Sequence, residues 1–271
     1  MSRYGLIALD MDGTLLNSEK KISQATQVAI QEVFAAGKEV VLSTGRCVAE
    51  LDEYFPQLPG IRYLICTSGA LVYDLKQQRE IYSQKIAPRT VLQILQAGQL
   101  EECMEHLLTM DSIVQSDKVS SMERYNLAHH QPMFQRVATK VPYLYAYYLQ
   151  NPIPVEKAVL HHATEEGRER SRQRLKHLAL ELVDSEVTSL ECSARGVTKG
   201  MGLAKLCEYL KFPIEETIAV GDSDNDIDML KRAGFSIAMG NAKENVKNIC
   251  DVIVEDCDHD GCVRAIQKYL L

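Results

Sequence analysis

Short hydrophobic segments that run into polar clusters are the feature that most constrains the fold of this chain. Residues 6–9 are followed by DMDGT, residues 40–42 by STG, and residues 217–220 by GDSDND. Such segments are too short for helices and fit buried strands. In a parallel sheet the carboxyl ends of the strands meet at one edge, so the three polar clusters are expected to converge there.

Amphipathic helices separate these strands. Ser23 is predicted to cap a helix that has Val28, Ile30 and Val33 on its apolar side and ends at Gly37. Further helices are predicted at 48–55, 200–210, 227–232, 242–249 and 261–271, with strands at 63–66, 235–238 and 252–254. Strands that alternate with helices predict an α/β fold with a Rossmann-like parallel sheet, covered by helices on both faces.

The middle of the chain has a different pattern. A helix is predicted to start at Pro88, and residues 104–115 fit a hairpin, with a helix as the alternative. Strands are predicted at 157–162, 178–183 and 188–192, and a charged helix at 165–175. Residues 84–191 are therefore predicted to form a second, inserted α/β domain. Residues 1–83 and 192–271 are predicted to form the catalytic domain.

Composition excludes several classes of partner. The chain has 271 residues, a net charge of −7 and no long basic run, which argues against nucleic acid or an anionic membrane as the partner. No apolar run reaches the length of about 18 residues that a membrane span needs, and residues 6–9 are too short for an export signal. The oligomeric state is left open.

The cysteines indicate a location. Eight of them are scattered along the chain with no CxxC pair, which is typical of free thiols in a reducing cytoplasm. A zinc site built from Cys250, Cys257, His259 and Cys262 is the alternative, although the spacing matches no usual zinc motif.

The polar clusters favour a metal site over ordinary surface loops. Loops also favour Asp, Gly and Ser, but they do not explain two groups of carboxylates directly after hydrophobic strands. Carboxylates held this close repel one another, and a divalent cation relieves that repulsion. Hard oxygen ligands suit Mg²⁺, and such a cation favours phosphoryl chemistry on a small phosphorylated metabolite.

At this point the chain resembles a known family. The motifs DMDGTL at 10–15, Thr44-Gly45-Arg46, Lys199 before a helix, and GDSDND at 221–226 are similar to the four motifs of the haloacid dehalogenase superfamily. The insert resembles the C2-type cap of the Cof-type phosphatases, also called subclass IIB. The resemblance covers nearly the whole chain, and the first and fourth motifs are the most specific.

The resemblance implies a role for each matching residue. Asp10 is the expected nucleophile that becomes an aspartyl-phosphate, and Asp12 the expected general acid and base. Magnesium ligands are expected from Asp10, the Asp12 carbonyl and Asp222, with Ser223 at the edge of the metal site. Phosphate is expected to bind Met11, Thr44, Gly45, Lys199 and Asn225, while Thr14 and Asp226 support the site.

Other interpretations stay open at this stage. A phosphosugar mutase shares the fold and the aspartyl-phosphate, and a silent phosphometabolite sensor shares the fold alone. The pairs His129-His130 and His161-His162 are more typical of surface or strand positions than of metal ligands. Ser68 stands where Cof-type relatives often have Asn. The cap is expected to select the substrate, whose identity the motifs do not specify.

Overall fold

The computed structural model describes residues 2–271 and contains two β-sheets. Its strands, in chain order, are β1 (Leu6–Leu9), β2 (Glu39–Ser43), β3 (Tyr63–Cys66), β4 (Leu71–Asp74), β5 (Arg79–Ser83), β6 (Met104–Leu108), β7 (Ser112–Gln115), β8 (Thr139–Val141), β9 (Lys157–His161), β10 (Leu180–Ser185), β11 (Ser189–Ala194), β12 (Thr217–Gly221), β13 (Phe235–Ala238) and β14 (Val252–Ile253).

The helices alternate with the strands. They are α1 (Gln24–Ala35), α2 (Pro88–Leu100), α3 (Ser116–Val119), α4 (Gln131–Val137), α5 (Leu144–Gln150), α6 (Glu165–Leu175), α7 (Lys199–Leu210), α8 (Ile227–Arg232), α9 (Glu244–Lys247) and α10 (Gly261–Ala265), which continues as a π-helical turn at Ile266–Leu270. Two of the predicted caps form: Ser23 accepts the Thr26 N–H at α1, and Pro88 opens α2.

The chain divides into two compact units. The first unit contains residues up to Gly45, Asp52–Ser83 and Thr198–Leu271, and the second contains Arg46–Leu51 and Gln84–Val197.

The first unit is built on a sheet with the strand order β14-β13-β12-β1-β2-β3-β4-β5. Strands β14 to β3 are parallel, and β4 and β5 extend the sheet as an antiparallel hairpin. The chain leaves β1 toward β2 and later returns on the other side of β1 as β12. The strand order therefore reverses at β1, and the carboxyl ends of β1, β2 and β12 lie side by side at this switch point.

The second unit has the strand order β10-β11-β9-β6-β7-β8, antiparallel except for the β7–β8 pair. One face of this sheet packs against α2, α5 and α6 through apolar side chains such as Ile94, Leu107, Leu160 and Leu175. Alternation along the strands places His106, Lys157, His161 and Glu191 on the opposite face.

The predicted boundary after residue 191 differs from the structure. Strand β11 crosses that position and is hydrogen-bonded to both β10 and β9, so the return to the first unit falls between Val197 and Thr198. Residues 46–51 also belong to the second unit, where the Ala49 N–H donates to the Met110 carbonyl. That assignment depends on contacts far along the chain, which no local pattern shows.

Some local predictions were wrong in detail. The predicted helix at 48–55 is two separate 3₁₀ turns, at Val48–Leu51 and at Phe55–Gln57, the second of which has Pro56 in its first turn. The predicted helix at 242–249 is only the single turn α9. Val28, expected on the apolar side of α1, is 53% exposed, because Ala29, Ile30 and Val33 form the buried stripe.

None of the helices within residues 2–271 combines the length and the apolar character that a membrane crossing requires.

Candidate active site

The loop after β1 holds Asp10 in a fixed position. The Asp10 N–H donates to the Val220 carbonyl at 3.1 Å and so extends the pairing of β1 with β12. The chain then turns sharply, because the carbonyl of the buried Met11 accepts the N–H groups of Thr14 and Leu16. Asp10 is therefore buried at the switch point of the sheet.

Lys199 is the cation of the site. It is the first residue of α7, which is capped by Thr198, and its side chain is 1% exposed. Its Nζ donates to Asp10 Oδ1 at 2.5 Å and to Asp226 Oδ1 at 2.8 Å. Burial works against a charged lysine, but the Asp10 and Asp226 carboxylates outweigh it and raise the pKa of Lys199 above its usual value.

The loop after β12 carries the remaining carboxylates. Asp226 is fully buried, and its Oδ2 accepts the N–H groups of Asp222 and Ser223 at 3.1 and 3.0 Å. Asp222 accepts hydrogen bonds from the Thr14 hydroxyl at 3.0 Å and the Ser223 hydroxyl at 3.1 Å. Asp226 therefore orients both Lys199 and the Asp222 loop, whereas Asp222 is held by hydroxyl groups.

Three carboxylates crowd around one ammonium group. One oxygen each from Asp10, Asp222 and Asp226 lie within 4.8 Å of one another. Burial, followed by repulsion from Asp226, raises the pKa of Asp10 well above its usual value, and the same two causes raise the pKa of Asp222. With all three carboxylates ionised, their charges and that of Lys199 sum to −2, which a divalent cation balances.

Gly13 permits the close approach of the two loops. It has φ +89°, and a Cβ atom placed there would lie 2.6 Å from Asp222 Oδ2. Any side chain would therefore fill the space in which the Asp222 carboxylate faces the first loop. Asn225 belongs to the loop after β12, and within residues 2–271 its buried Oδ1 has no hydrogen-bond partner.

Thr44 and Gly45 follow β2 at the same sheet edge. Thr44 is buried, donates its N–H to the Ile65 carbonyl at 2.8 Å and accepts the Ser68 N–H at 3.0 Å. Ser68 has φ +59°, a left-handed conformation that Asn and Gly adopt with less strain. The residue that departs from the Cof-type pattern therefore packs directly behind Thr44.

Of the residues expected to bind the metal, Asp10 and Asp222 lie close together, and the Ser223 hydroxyl donates to the Asp222 carboxylate. The residue expected as general acid and base, Asp12, pairs through its side chain with Lys20, with 2.9 Å between Lys20 Nζ and Asp12 Oδ1.

Two contacts of the site were missed by sequence reasoning. Lys20 lies eight residues beyond Asp12, and no motif includes it. Asn241 donates to the Gly13 carbonyl at 2.8 Å and accepts the Cys257 N–H. Asn241 follows β13. It could have been predicted by the argument used for Asp10 and Asp222, that polar residues after parallel strands meet at one edge of the sheet.

The structure brings together the ligands of one alternative metal site but not those of another. Cys250, Cys257, His259 and Cys262 are not brought together as ligands anywhere in residues 2–271, and His259 pairs with Asp256 instead. In the second unit, His129, His130 and Glu186 place one ligand atom each within 4.8 Å of one another. His161 and His162 hydrogen-bond Ser189 and Ser171, as residues of a strand and its end.

Comparison with known proteins identifies the family. Residues 7–266 match the haloacid dehalogenase-like hydrolases. The phosphatase YwpJ of Bacillus subtilis is 31% identical, over 98% of this chain and 99% of the relative. The 5-amino-6-(5-phospho-D-ribitylamino)uracil phosphatase YcsE of the same organism is 30% identical, over 98% of this chain and 96% of the relative.

A solved structure agrees with this assignment. A haloacid dehalogenase-like hydrolase from B. subtilis superimposes with a TM-score of 0.85 at 28% identity, covering 98% of this chain and all of the other. The chain belongs to the haloacid dehalogenase-like hydrolases. The predicted fold class, the predicted family and the prediction of a phosphatase-type hydrolase are confirmed.

Proposed function

We propose that the chain is a magnesium-dependent phosphomonoesterase that hydrolyses a small phosphorylated metabolite with Asp10 as nucleophile. The observation that carries the proposal is the group of three carboxylates around the buried Lys199 ammonium. A purely structural ion pair needs one partner for each charge. A surplus of two negative charges on buried and half-buried carboxylates at a sheet switch point is instead typical of a site that binds a cation and a phosphate.

The residues present fit Mg²⁺. Asp10, Asp222 and the Asp12 carbonyl supply hard oxygen ligands, with Ser223 beside them and Thr14 orienting Asp222. When bound, the cation supplies positive charge that balances the phosphate and the charge developing during its transfer.

The proposed reaction has two displacements at phosphorus. A carboxylate oxygen of Asp10 attacks, the bond to the leaving oxygen breaks, and Asp12 gives its proton to that oxygen. Asp12 then takes a proton from water, whose oxygen attacks the aspartyl-phosphate, so that phosphate leaves and Asp10 is regenerated. Lys199 orients Asp10 by holding Oδ1, which leaves Oδ2 as the attacking atom.

The phosphate contacts are part of the proposal. Thr44, Lys199, Asn225 and the N–H groups of Met11 and Gly45 would bind the phosphate oxygens. The Asn225 amide is suited to this, since its NH₂ group can donate to an anion.

Substrate selection is proposed to reside in the second unit. The residues assigned to chemistry lie in the first unit, on both sides of the insert in sequence. Exchanging residues 84–197 for the corresponding segment of a relative should move substrate preference with the exchanged segment. A preference that stayed with the first unit would place selection in its own loops, with Ser68 the first candidate.

A cytoplasmic location is also proposed. None of the eight cysteines forms a disulfide, and six of them are buried. Burial is the main cause that raises the pKa of Cys103, Cys192, Cys207, Cys250, Cys257 and Cys262, as expected of inert thiols in a reducing compartment.

Release of inorganic phosphate from p-nitrophenyl phosphate tests the reaction. We expect turnover by the purified protein with Mg²⁺ and none by Asp10→Asn. A phosphosugar mutase would transfer phosphate between sugar hydroxyls with little release to water, and a sensor would bind without turnover. A folded, magnesium-loaded protein that releases no phosphate from a broad panel of phosphorylated metabolites would contradict the proposal.

A further inference from the structure

The Asp12 carboxylate has a cationic neighbour outside the four motifs. Lys20 Nζ donates to Asp12 Oδ1 at 2.9 Å, and the two side chains are 38% and 34% exposed. A carboxylate with this much exposure is not held in one orientation by packing alone. The hydrogen bond to Lys20 is therefore a means of restricting the two side-chain torsions of Asp12.

The backbone around Lys20 is built to present this side chain. Lys20 has φ +59°, which residues with a Cβ rarely adopt. The turn is closed by the Lys20 N–H, which donates to the Asn17 carbonyl, and by the Asn17 side chain, which accepts the N–H groups of Glu19 and Lys21. The hydroxyl of the buried Tyr54 donates to the Lys20 carbonyl at 3.3 Å.

The neighbouring lysine shows that position, and not charge, matters in this loop. Lys21 pairs with Glu19 at 2.8 Å, and both side chains are more than two-thirds exposed. Lys21 therefore lies in the same turn and carries the same charge, but it has a different partner. The left-handed turn directs only one of the two adjacent ammonium groups to Asp12.

We propose that Lys20 is a positioning residue that holds the Asp12 carboxylate in place for proton transfer. The proposal rests on the proposed function, in which Asp12 protonates the leaving oxygen. An ion pair between half-exposed groups adds little to folding stability, so its effect is expected in the kinetics. Proton transfer needs the donor within hydrogen-bond distance of the leaving oxygen, and a small displacement of a catalytic group lowers the rate strongly.

The test uses phenyl phosphates whose leaving groups differ in basicity but little in shape. Single-turnover phosphorylation is measured with p-nitrophenyl phosphate, which needs little protonation, and with 4-methoxyphenyl phosphate, which needs more. We expect Lys20→Met to slow the methoxy substrate about tenfold and the nitro substrate less than about threefold. Lys20→Arg should recover most of the loss, and the matched control Lys21→Met should behave as wild type.

A double-mutant cycle separates positioning from a general structural effect. If Lys20 acts through Asp12, Asp12→Ala combined with Lys20→Met should be no slower than Asp12→Ala alone. Additive losses, or an equal loss for both substrates, would overturn the proposal for Lys20. If Asp12→Ala itself showed no dependence on the leaving group, the role proposed for Asp12 would fall, and the role of Lys20 with it.

Discussion

Two buried lysines, one in each unit, differ in the carboxylates around them. In the second unit, Lys157 on β9 is 2% exposed and pairs with Glu191 on the neighbouring β11 at 3.0 Å. In the first unit, Lys199 is equally buried but meets Asp10 and Asp226, with Asp222 close by. Both arrangements remove an ammonium group from water, and only the second leaves a large surplus of negative charge.

The difference shows how function and stability are separated in this protein. Lys157 and Glu191 lie on regular strands, where removing one charge takes a close opposite charge away from the other group. Asp10 and Asp222 lie in loops after strands, where repulsion and burial already raise their pKa values. Charge removal should therefore affect mainly stability in the second unit and mainly activity in the first.

The largest effect is expected from Asp10→Asn. An amide is not a competent nucleophile, so turnover should fall by more than about 10³-fold. The change removes one of three crowded carboxylates and leaves Lys199 paired with Asp226, so the free energy of unfolding should change by less than about 1 kcal/mol. Steady-state assays and denaturant unfolding measure the two quantities. The matched control is Asp224→Asn, which removes a carboxylate of the loop after β12 that pairs with Lys243 at the surface.

Removal of Mg²⁺ should lower turnover nearly as much as Asp10→Asn does. Chelation by EDTA should abolish activity, and Ca²⁺ should inhibit, because its larger coordination number disturbs the attack geometry. Thr14→Val removes the hydroxyl that orients Asp222, and we expect the Mg²⁺ concentration for half-maximal activity to rise about tenfold or more. Full activity in calcium alone, or an unchanged magnesium requirement in Thr14→Val, would contradict the view that the carboxylates of the first unit serve activity by binding Mg²⁺.

Glu191→Gln should act mainly on stability. It keeps the shape of the side chain but removes a charge that faces the buried Lys157, and we expect a loss of about 2 kcal/mol in the free energy of unfolding. Glu208→Gln is the control, because Glu208 pairs with Lys205 at an exposed site of α7 and the change should leave the free energy of unfolding close to that of the wild type. Equal losses in Glu191→Gln and Glu208→Gln would show that the Lys157–Glu191 pair does not stabilise the second unit.

A smaller effect concerns pH. Burial lowers the pKa of His161 to about 3, so folded His161 stays neutral while unfolded His161 takes up a proton below about pH 6.5. The contribution of neutral His161 to the free energy of unfolding is therefore present above pH 6.5 and is lost as the pH falls toward 3. Between pH 7 and 5.5 we expect His161 alone to account for a loss of about 1 kcal/mol. Denaturant unfolding at both values should show that loss reduced in His161→Gln, but not in a control change of the exposed His177.

The smallest expected effect is a gain in the free energy of unfolding. Lys211 ends α7 with φ +53°, at the position after a helix that glycine favours. Lys211→Gly should raise the free energy of unfolding by about 0.5–1 kcal/mol, measured by denaturant titration. Lys205→Gly, within the same helix, should lower it by a similar amount. A loss at both positions would mean that the Lys211 side chain makes a stabilising contact.

Local sequence patterns determined much of this protein. The period of apolar residues, the cap residues Ser23 and Pro88, and the polar residues after β1, β2 and β12 were sufficient for the α/β class, most strands and helices, and the residues that meet at the sheet edge. These features depend on neighbours within a few positions, because strand length, apolar period and helix capping are local properties.

Tertiary structure decided the rest. The pairing of Lys20 with Asp12 depends on a left-handed turn anchored by Tyr54, and the hydrogen bond from Asn241 to Gly13 joins residues more than 200 positions apart. The place of residues 46–51 in the second unit likewise depends on contacts with distant strands. Such contacts are set by backbone torsions and strand register together, and a single sequence contains no local period that encodes them.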